Sequence, residues 1–229
     1  MGRRVDGQCS GAPRPIGVRP AKIPARVSAV GRQLTEAQLE KRRAILRAAI
    51  AVFAEKGYHA CRVQDVASEA GVAYGLVYHY FSSKEELLET IFRSTWRRLL
   101  EGLNEIAESG EPAEEQVHRV CALVLRAWLA DPDLVRVLVR EVARSPQLQR
   151  EVDEVAHAFA ALERIVVGGQ ERGELKPDVD PRLAAWILYG ALEEILTGWV
   201  MGQLPDGDQD VKTAEHAVVQ VLCDGLVTG

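Results

Sequence analysis

The sequence predicts an all-α fold with about nine helices, and three observations support this class. Apolar residues recur at the spacing of amphipathic helices along most of the chain after residue 33. Helix-start signals recur as well, as two capping-box patterns and as Ser-Pro and Asp-Pro pairs. The alternation of apolar and polar residues that is typical of half-buried strands is missing from the sequence.

The first 33 residues differ from the rest of the chain. They contain four prolines and seven basic residues and show no helical periodicity. Such a composition buries too little apolar surface to fold by itself, so we predict a disordered basic arm over residues 1–33. The Pro and Gly content of this arm argues against the amphipathic helix of an organellar presequence.

Ordered structure is expected to begin at the stretch LTEAQL. Thr35 is a suitable N-cap residue, Gln38 stands at the N3 position of a capping box, and Leu34 and Leu39 have the spacing of a hydrophobic staple. The helix that follows has one apolar face. It is expected to end at Gly57, because glycine favours the position just after a helix C-terminus.

Two short helices joined by a tight turn are predicted next, over residues 63–70 and 74–80. Val63, Val66 and Ala67 are spaced to face inward from the first of them. Gly71 interrupts the pattern, and Val72 supplies an apolar side chain in the turn. Two short helices with this connection form a helix-turn-helix, whose second helix can enter the major groove of DNA.

The second short helix carries a concentration of aromatic residues in the stretch YGLVYHYF. Helical spacing turns Val77 and Phe81 toward the core, and the outward positions are Tyr74, Gly75, Tyr78 and His79. Hydroxyl and imidazole groups bind phosphates and aromatic rings pack on thymine methyl groups, so this face suits DNA. The alternative, that all of these aromatics are core residues, is disfavoured because so short a helix cannot bury them all.

Charge is distributed unevenly along the chain. Residues 1–84 hold 14 Lys and Arg against 6 Asp and Glu, whereas residues 85–229 hold 14 against 27. This asymmetry is typical of a nucleic-acid-binding region joined to a part with another role.

The remainder of the chain predicts longer helices. A second capping box, at Ser83 and Glu86, precedes a helix that extends to about residue 106. The later helices are predicted from Pro112 to about Ala130, over Asp133–Arg144, from Ser145-Pro146 to a breaker at Gly168-Gly169, from Asp180-Pro181 to residue 200, and from about Asp210. The segment 183–200 is apolar almost all round, which predicts burial on two sides. No apolar run suggests a membrane span, so no membrane association is expected.

The sequence gives no sign of a catalytic or metal site. It contains no nucleophile–base pair, paired carboxylates or phosphate-binding loop, and its five histidines are scattered. The four cysteines lie far apart without metal-ligand spacing, as expected of reduced thiols in a cytoplasmic protein. We therefore expect neither an enzyme nor a bound cofactor.

Residues 38–92 resemble the DNA-binding domain of the TetR family of bacterial transcription regulators. The matching residues are Phe53, Gly57, Tyr58, Val63, Ala67, Ala70, Gly71, Val72, Gly75, Val77, Tyr78, Tyr80, Phe81, Lys84, Glu85 and Leu87. The resemblance implies that bases are approached by Tyr74, Gly75, Tyr78 and His79, and that phosphates are held by Tyr78, Tyr80 and Lys84, with Gln64 as a further candidate.

Four positions depart from the family's pattern. The family usually has Ser or Thr at one or both of the positions of Cys61 and Arg62, where a hydroxyl caps the first short helix. Neither residue here is a good cap, although Arg62 offers a charge for a DNA contact. At Ala73 the family often has the Ser that caps the second short helix. At Leu76 it often has Thr, so the operator contact at that position is expected to differ.

Residues 172–201 resemble the C-terminal part of the FadR-type TetR repressors of fatty-acid degradation, which respond to long-chain acyl-CoA. The matching residues are Gly173, Glu174, Asp180, Arg182, Leu183, Ala184, Gly190, Glu193, Trp199, Val200 and Met201. The TetR resemblance implies a homodimer through helices near 181–202 and 210–228, and an effector pocket among the helices of residues 84–202. Arg136, Arg140 and Arg144 form a stripe that either binds CoA phosphates or is a solvated face with nearby acidic residues.

The predicted organisation is an arm over residues 1–33, a helix-turn-helix DNA-binding domain over 34–84 and a ligand-binding and dimerisation domain over 85–229. The predicted function is a dimeric repressor that a hydrophobic effector, such as long-chain acyl-CoA, releases from a palindromic operator. The helix from Ser83 to Ile106 is expected to transmit the signal. Three alternatives are weighed: a sensor of drugs or other small hydrophobic molecules that controls an efflux gene, a sequence-indifferent binder that uses the basic arm, and an enzyme, which the missing catalytic motifs disfavour.

Overall fold

The computed structural model describes residues 35–142 and 153–226. The α-helices in these ranges are α1 (Glu36–Lys56), α2 (Val63–Glu69), α3 (Tyr74–Tyr80), α4 (Lys84–Ala107), α5 (Ala113–Ala130), α6 (Pro132–Val137), α7 (Asp153–Glu171), α8 (Pro181–Val200) and α9 (Asp208–Leu226). A π-helical turn, Leu138–Val142, continues α6. The all-α class is confirmed. The predicted arm and the start signal at Ser145-Pro146 lie outside the described residues.

Helix starts follow the predicted caps. α1 begins directly after Thr35, and the Ser83 hydroxyl accepts a hydrogen bond from the Glu86 N–H at 3.1 Å. The predicted reciprocal half of this capping box is wrong, because the Glu86 carboxylate accepts from the N–H and the hydroxyl of Ser82 instead. The Asp180 carboxylate caps α8 by accepting from two backbone N–H groups, at 2.8 and 3.0 Å.

The predicted break at Gly168-Gly169 is wrong, because α7 continues through both glycines to Glu171. The chain leaves the helix at Gly173, whose φ of +73° is a conformation that glycine adopts readily. Gly169 has a packing role instead, since a Cβ at that position would lie 2.7 Å from the Ala113 Cβ and from the Leu175 side chain. The missing side chain lets α7 approach the start of α5 closely.

Buried side chains form two main clusters, and α4 contributes to both. The N-terminal cluster joins α1 to α4 and includes Phe53, Val66, Val77 and Leu87, together with Val137 of α6. The C-terminal cluster draws on the far end of α4 and on α5 to α9. Because α4 runs from one cluster into the other, it is placed as the predicted transmitter requires.

One bidentate ion pair ties α5 to α9. The Arg126 guanidinium donates to both oxygens of Glu215, each at 2.8 Å, and the Glu215 side chain is buried. A buried carboxylate is tolerated when a fork of charged donors satisfies it. This pair fixes the face that α9 turns inward.

α8 is buried on one side within the chain, and burial of its other side stays a prediction. Ala185, Leu188 and Leu192 are buried in the C-terminal cluster, while the side chains of Leu183, Trp186 and Ile187 are more than half exposed. Contrary to the expectation of no such segment, α8 is long and apolar enough by composition to cross a membrane. A core helix of a soluble protein has the same composition, and α8 packs against α7 as such a helix does.

Candidate nucleic-acid interface

Helix α3, the predicted recognition helix, presents the outward face that its sequence predicts. Val77 and Phe81 are fully buried, which orients the helix against the N-terminal cluster. Gly75 and His79 are exposed, and Tyr74 and Tyr78 are 46% and 44% exposed. Hydroxyl and imidazole groups therefore project into solvent from a helix of seven residues.

Tyr74 and Tyr78 form a pair one helical turn apart. Their ring centroids are 5.0 Å apart at an interplanar angle of 71°, and the Tyr74 hydroxyl donates to the Tyr78 hydroxyl at 3.2 Å. The hydrogen bond between the two hydroxyls is the main cause that raises the pKa of Tyr78. The pair presents a prearranged donor to any acceptor that approaches this face.

Two other candidates on α3 are less accessible. Leu76 and Tyr80 are half-buried, and Tyr80 packs against the N-terminal cluster. The His79 ring lies edge-on to Tyr80, with centroids 5.1 Å apart. Of the predicted contacts on this helix, Tyr74, Gly75, Tyr78 and His79 are the exposed ones.

The departures from the family pattern at the starts of α2 and α3 leave both short helices without a side-chain N-cap. Among the residues that the structure describes, neither Arg62 at the start of α2 nor Ala73 at the start of α3 caps its helix with a side chain. The Asp65 carboxylate partly compensates by accepting from the Arg62 N–H at 2.7 Å. A hydrogen bond from Lys56 and the one from Arg62 lower the pKa of Asp65. The side chains of Arg62 and Gln64 remain exposed.

Lys84 is placed differently from the other predicted phosphate contacts. Its Nζ donates to the carbonyls of Tyr58 and Cys61, at 2.6 and 3.1 Å, and lies 4.4 Å from the centroid of the Tyr58 ring. The ammonium is thus bound to the turn between α1 and α2. An ammonium group has three N–H donors, so one of them is left for a DNA phosphate while both carbonyls stay bound.

Sequence reasoning missed two charged residues beside the helix-turn-helix. The Arg42 guanidinium of α1 stacks 4.9 Å from the centroid of Phe81, next to the end of α3. The buried Glu141 carboxylate, from the π-helical turn, accepts from the Tyr58 N–H at 3.4 Å. Arg42 lies three residues before the buried Ile45 and therefore on the same face of α1, and this spacing is a signal for its position that the sequence contains. Glu141 and Tyr58 are 83 residues apart, so no local pattern predicts their contact.

A row of aromatic side chains connects α4, α7 and α8. The Trp96 ring lies 6.3 Å from that of Tyr189, which lies 4.9 Å from Phe159, and Phe159 stacks on Trp186 at 4.4 Å. Burial and the nearby Glu193 raise the pKa of Tyr189. These rings supply an apolar, partly buried region at the middle of α4.

Two residues of the predicted arginine stripe, Arg136 and Arg140, lie in the part of the chain that the structure describes. Arg136 donates to Asp133 at 2.6 Å and stacks over Trp128 at 5.1 Å. Arg140 is exposed, and Arg144 lies outside the described residues. For Arg136, pairing with a nearby carboxylate favours the solvated-face interpretation.

Comparisons with known proteins agree with this architecture. Residues 45–91 match the family described as "Bacterial regulatory proteins, tetR family", and residues 92–225 match "YsiA-like protein, C-terminal region". The Bacillus subtilis fatty acid metabolism regulator protein is 30% identical over 184 residues, which cover 80% of this chain and 93% of that protein. The transcriptional repressor KstR2 of Rhodococcus jostii is 27% identical over 199 residues, covering 85% of this chain and 95% of KstR2.

A solved structure extends the similarity to the whole helical arrangement. The crystal structure of FadR from Bacillus subtilis in complex with stearoyl-CoA superposes with a TM-score of 0.71 and 30% identity, covering 80% of this chain and 98% of that one. These findings confirm both resemblances, to the TetR family and to the FadR-type regulators. The chain belongs to the TetR family of bacterial transcription regulators, and a DNA-binding regulator that responds to a small molecule is its function class.

Proposed function

We propose that this protein is a dimeric, cytoplasmic transcriptional repressor that a long-chain acyl-CoA releases from a palindromic operator. The observation that carries the DNA-binding part is the exposed Tyr74–Tyr78 pair on a helix whose only fully buried residue, among those described, is Val77. Seven residues that bury one side chain contribute little to the core. Their exposed groups are suited to contact with a ligand outside the chain.

DNA contacts divide by accessibility. Tyr74, Gly75, Tyr78 and His79 approach base edges, and the exposed side chains of Arg62 and Gln64 bind the backbone of the operator. The side chains of Tyr80 and Leu76 are less accessible to DNA, because each is half-buried. Lys84 holds the turn before α2 through two of its three N–H donors, which leaves one donor for a phosphate.

The dimer forms through the exposed apolar faces of α8 and α9. Leu183, Trp186 and Ile187 have the three- and four-residue spacing of one helix face, and Val221 of α9 is 74% exposed. Apolar faces of this kind are buried when a partner covers them. A two-fold dimer would place two recognition helices about 34–36 Å apart, on a near-palindromic operator.

The effector is proposed from one relative and one structural feature. FadR of Bacillus subtilis is described with stearoyl-CoA bound. In this chain, Trp96, Phe159 and Tyr189 bring half-buried aromatic rings together beside α4, which suits an acyl chain. An effector that binds one arrangement of α4 better than the other shifts the spacing of the recognition helices and hence the DNA affinity. The relatives are named as regulators, in accord with a chain that carries no catalytic activity.

The proposal is tested in two steps. An operator is first selected from random double-stranded DNA with the full chain, and release is then titrated with stearoyl-CoA, with CoA and with a representative efflux-pump drug. We expect a palindromic sequence and release by stearoyl-CoA at concentrations where CoA has no effect. Release by the drug alone would support a sensor of other hydrophobic molecules. Equal affinity for every DNA would contradict the repressor function.

A further inference from the structure

The backbone at Tyr58 is held on both sides by charged groups from other parts of the chain. The Lys84 Nζ donates to its carbonyl at 2.6 Å, and the Glu141 carboxylate accepts from its N–H at 3.4 Å. A cation at the carbonyl and an anion at the N–H both match the direction of the peptide dipole. The Tyr58 hydroxyl also donates to Glu85 at 3.1 Å, so α4 holds this residue at two points.

Glu141 is an unusual residue for this position. Its side chain is only 9% exposed, and within residues 35–142 and 153–226 the Tyr58 N–H is the one hydrogen-bond donor to its carboxylate. A single hydrogen bond of 3.4 Å is near the long end of the usual range and contributes little to stability, so a gain in stability alone does not explain a carboxylate at this position. The π-helical turn that carries it, Leu138–Val142, is a feature that occurs frequently at functional sites.

The same segment packs inside the DNA-binding part. Val137 and Leu134 of α6 belong to the N-terminal cluster with Phe53 and Val77. A shift of one residue in the π-helical turn would rotate Glu141 by roughly 100° around the helix axis. Such a shift would remove the carboxylate from the turn before α2 without breaking the apolar contacts of α6.

We propose that Glu141 is a positioning residue, through which the C-terminal helices hold the turn before α2 in the arrangement that binds DNA. The inference rests on the proposed function, in which the ligand-free protein is the form that binds the operator. Glu141 fixes the Tyr58 N–H, Lys84 fixes the Tyr58 carbonyl, and α2 follows the same turn. Loss of the Glu141 contact would release the turn before α2 from this hold, while the apolar contacts of α6 with the N-terminal cluster remain.

The test compares Glu141→Ala and Glu141→Gln with the wild-type full chain on the selected operator. Alanine removes the acceptor, and we expect an operator affinity about tenfold lower and a smaller additional loss on addition of stearoyl-CoA. Glutamine keeps Oε1 as an acceptor, so most of the affinity should return. Glu141→Asp, which withdraws the carboxylate by one methylene, serves as the second probe if the alanine variant does not fold.

Glu174→Ala is the matched control. The Glu174 carboxylate also accepts a backbone N–H across the chain, from Ala113 at 2.7 Å, but the contact lies within the C-terminal helices. Its loss should leave operator affinity unchanged. An equal loss in both alanine variants, or wild-type affinity and response in Glu141→Ala, would overturn the proposal.

Hydrogen exchange separates this inference from the proposed function. Exchange of the Tyr58 amide should be faster in Glu141→Ala than in the wild type, with or without DNA. If the wild type selects no operator, the proposed function fails, and unchanged exchange at Tyr58 would then refute the Glu141 contact independently. Faster exchange in that case would still support the contact.

Discussion

The helix-turn-helix and the C-terminal helices differ in how far their aromatic side chains are exposed to solvent. In the seven-residue α3, Tyr74 and Tyr78 project into solvent, whereas Trp96, Phe159 and Tyr189 lie half-buried between helices of 19 to 24 residues. A short helix has one face to bury, so its remaining aromatics are available for binding DNA. Long helices that cross one another enclose their aromatics, and the contrast separates the proposed DNA surface from the proposed effector region.

The largest expected effect follows from truncating a buried side chain of the N-terminal cluster. Phe53 is buried against Tyr58, with ring centroids 5.5 Å apart, and Phe53→Ala should cost about 3–5 kcal/mol of unfolding free energy. All four tryptophans lie at or after residue 96, so their fluorescence reports only on the C-terminal region. If the N-terminal cluster of Phe53→Ala unfolds separately from the C-terminal cluster, thermal unfolding followed by circular dichroism will show an early transition that is absent from the tryptophan fluorescence curve. Coincident transitions would show that α4 couples them into one unit.

The next effect concerns the exposed apolar face of α8. Ile187→Glu places a charge on that face, and we expect the dissociation constant of the dimer to rise by about 100-fold or more, because a buried unpaired charge is costly. Sedimentation velocity over a concentration series measures the change. Leu129→Glu, at an exposed apolar position of α5, is the control that should leave the dimer intact. Dimerisation of Ile187→Glu at wild-type strength would contradict the proposed interface.

A smaller effect is expected at the recognition helix. Tyr78→Phe removes a hydroxyl while keeping the ring, and operator affinity should fall about tenfold if that hydroxyl binds an acceptor on DNA. Fluorescence anisotropy with the selected operator gives the affinity. Thermal stability should not change, since the side chain is 44% exposed. Equal affinity for the operator would show that the ring alone is used.

Adding the missing cap should give a modest gain. Ala73 has the extended backbone of an N-cap residue, with φ −63° and ψ 138°, so Ala73→Ser offers a hydroxyl to a free N–H of α3. We expect a stabilisation of about 0.5–1 kcal/mol by urea denaturation. Ala73→Val, which is β-branched and apolar, should give no gain. A destabilised serine variant would mean that the α3 N-terminus is satisfied in another way.

The smallest effect depends on pH. Burial raises the pKa of Glu193, so the folded state binds a proton more readily than the unfolded state. Stability should therefore decrease as pH rises from the ordinary glutamate range through the raised pKa, and the deficit should persist at neutral pH. Glu193→Gln removes this penalty and should raise the melting temperature slightly at pH 7 but not near pH 4. A constant difference at both pH values would exclude a titration effect.

Local sequence determined the helices, their caps and the inward or outward direction of residues on α3. These features depend on neighbours within about one helical turn, such as the Asp180 cap and the Val77–Phe81 pair, so periodicity and capping residues were sufficient to predict them. Which bases the exposed side chains contact depends on the operator sequence, which helical periodicity does not encode.

Only the tertiary structure decided how distant groups meet. Lys84 donates to the carbonyls of Tyr58 and Cys61, because folding brings a residue 26 positions away within 2.6 Å, and its predicted phosphate contact stays a prediction. The sequence predicts that Gly169 ends a helix, whereas in the structure its missing Cβ leaves room for the Ala113 Cβ. Glu141 meets Tyr58 across 83 residues. Helical propensity is set by near neighbours, whereas these contacts depend on how α1, α4 and α6 pack together.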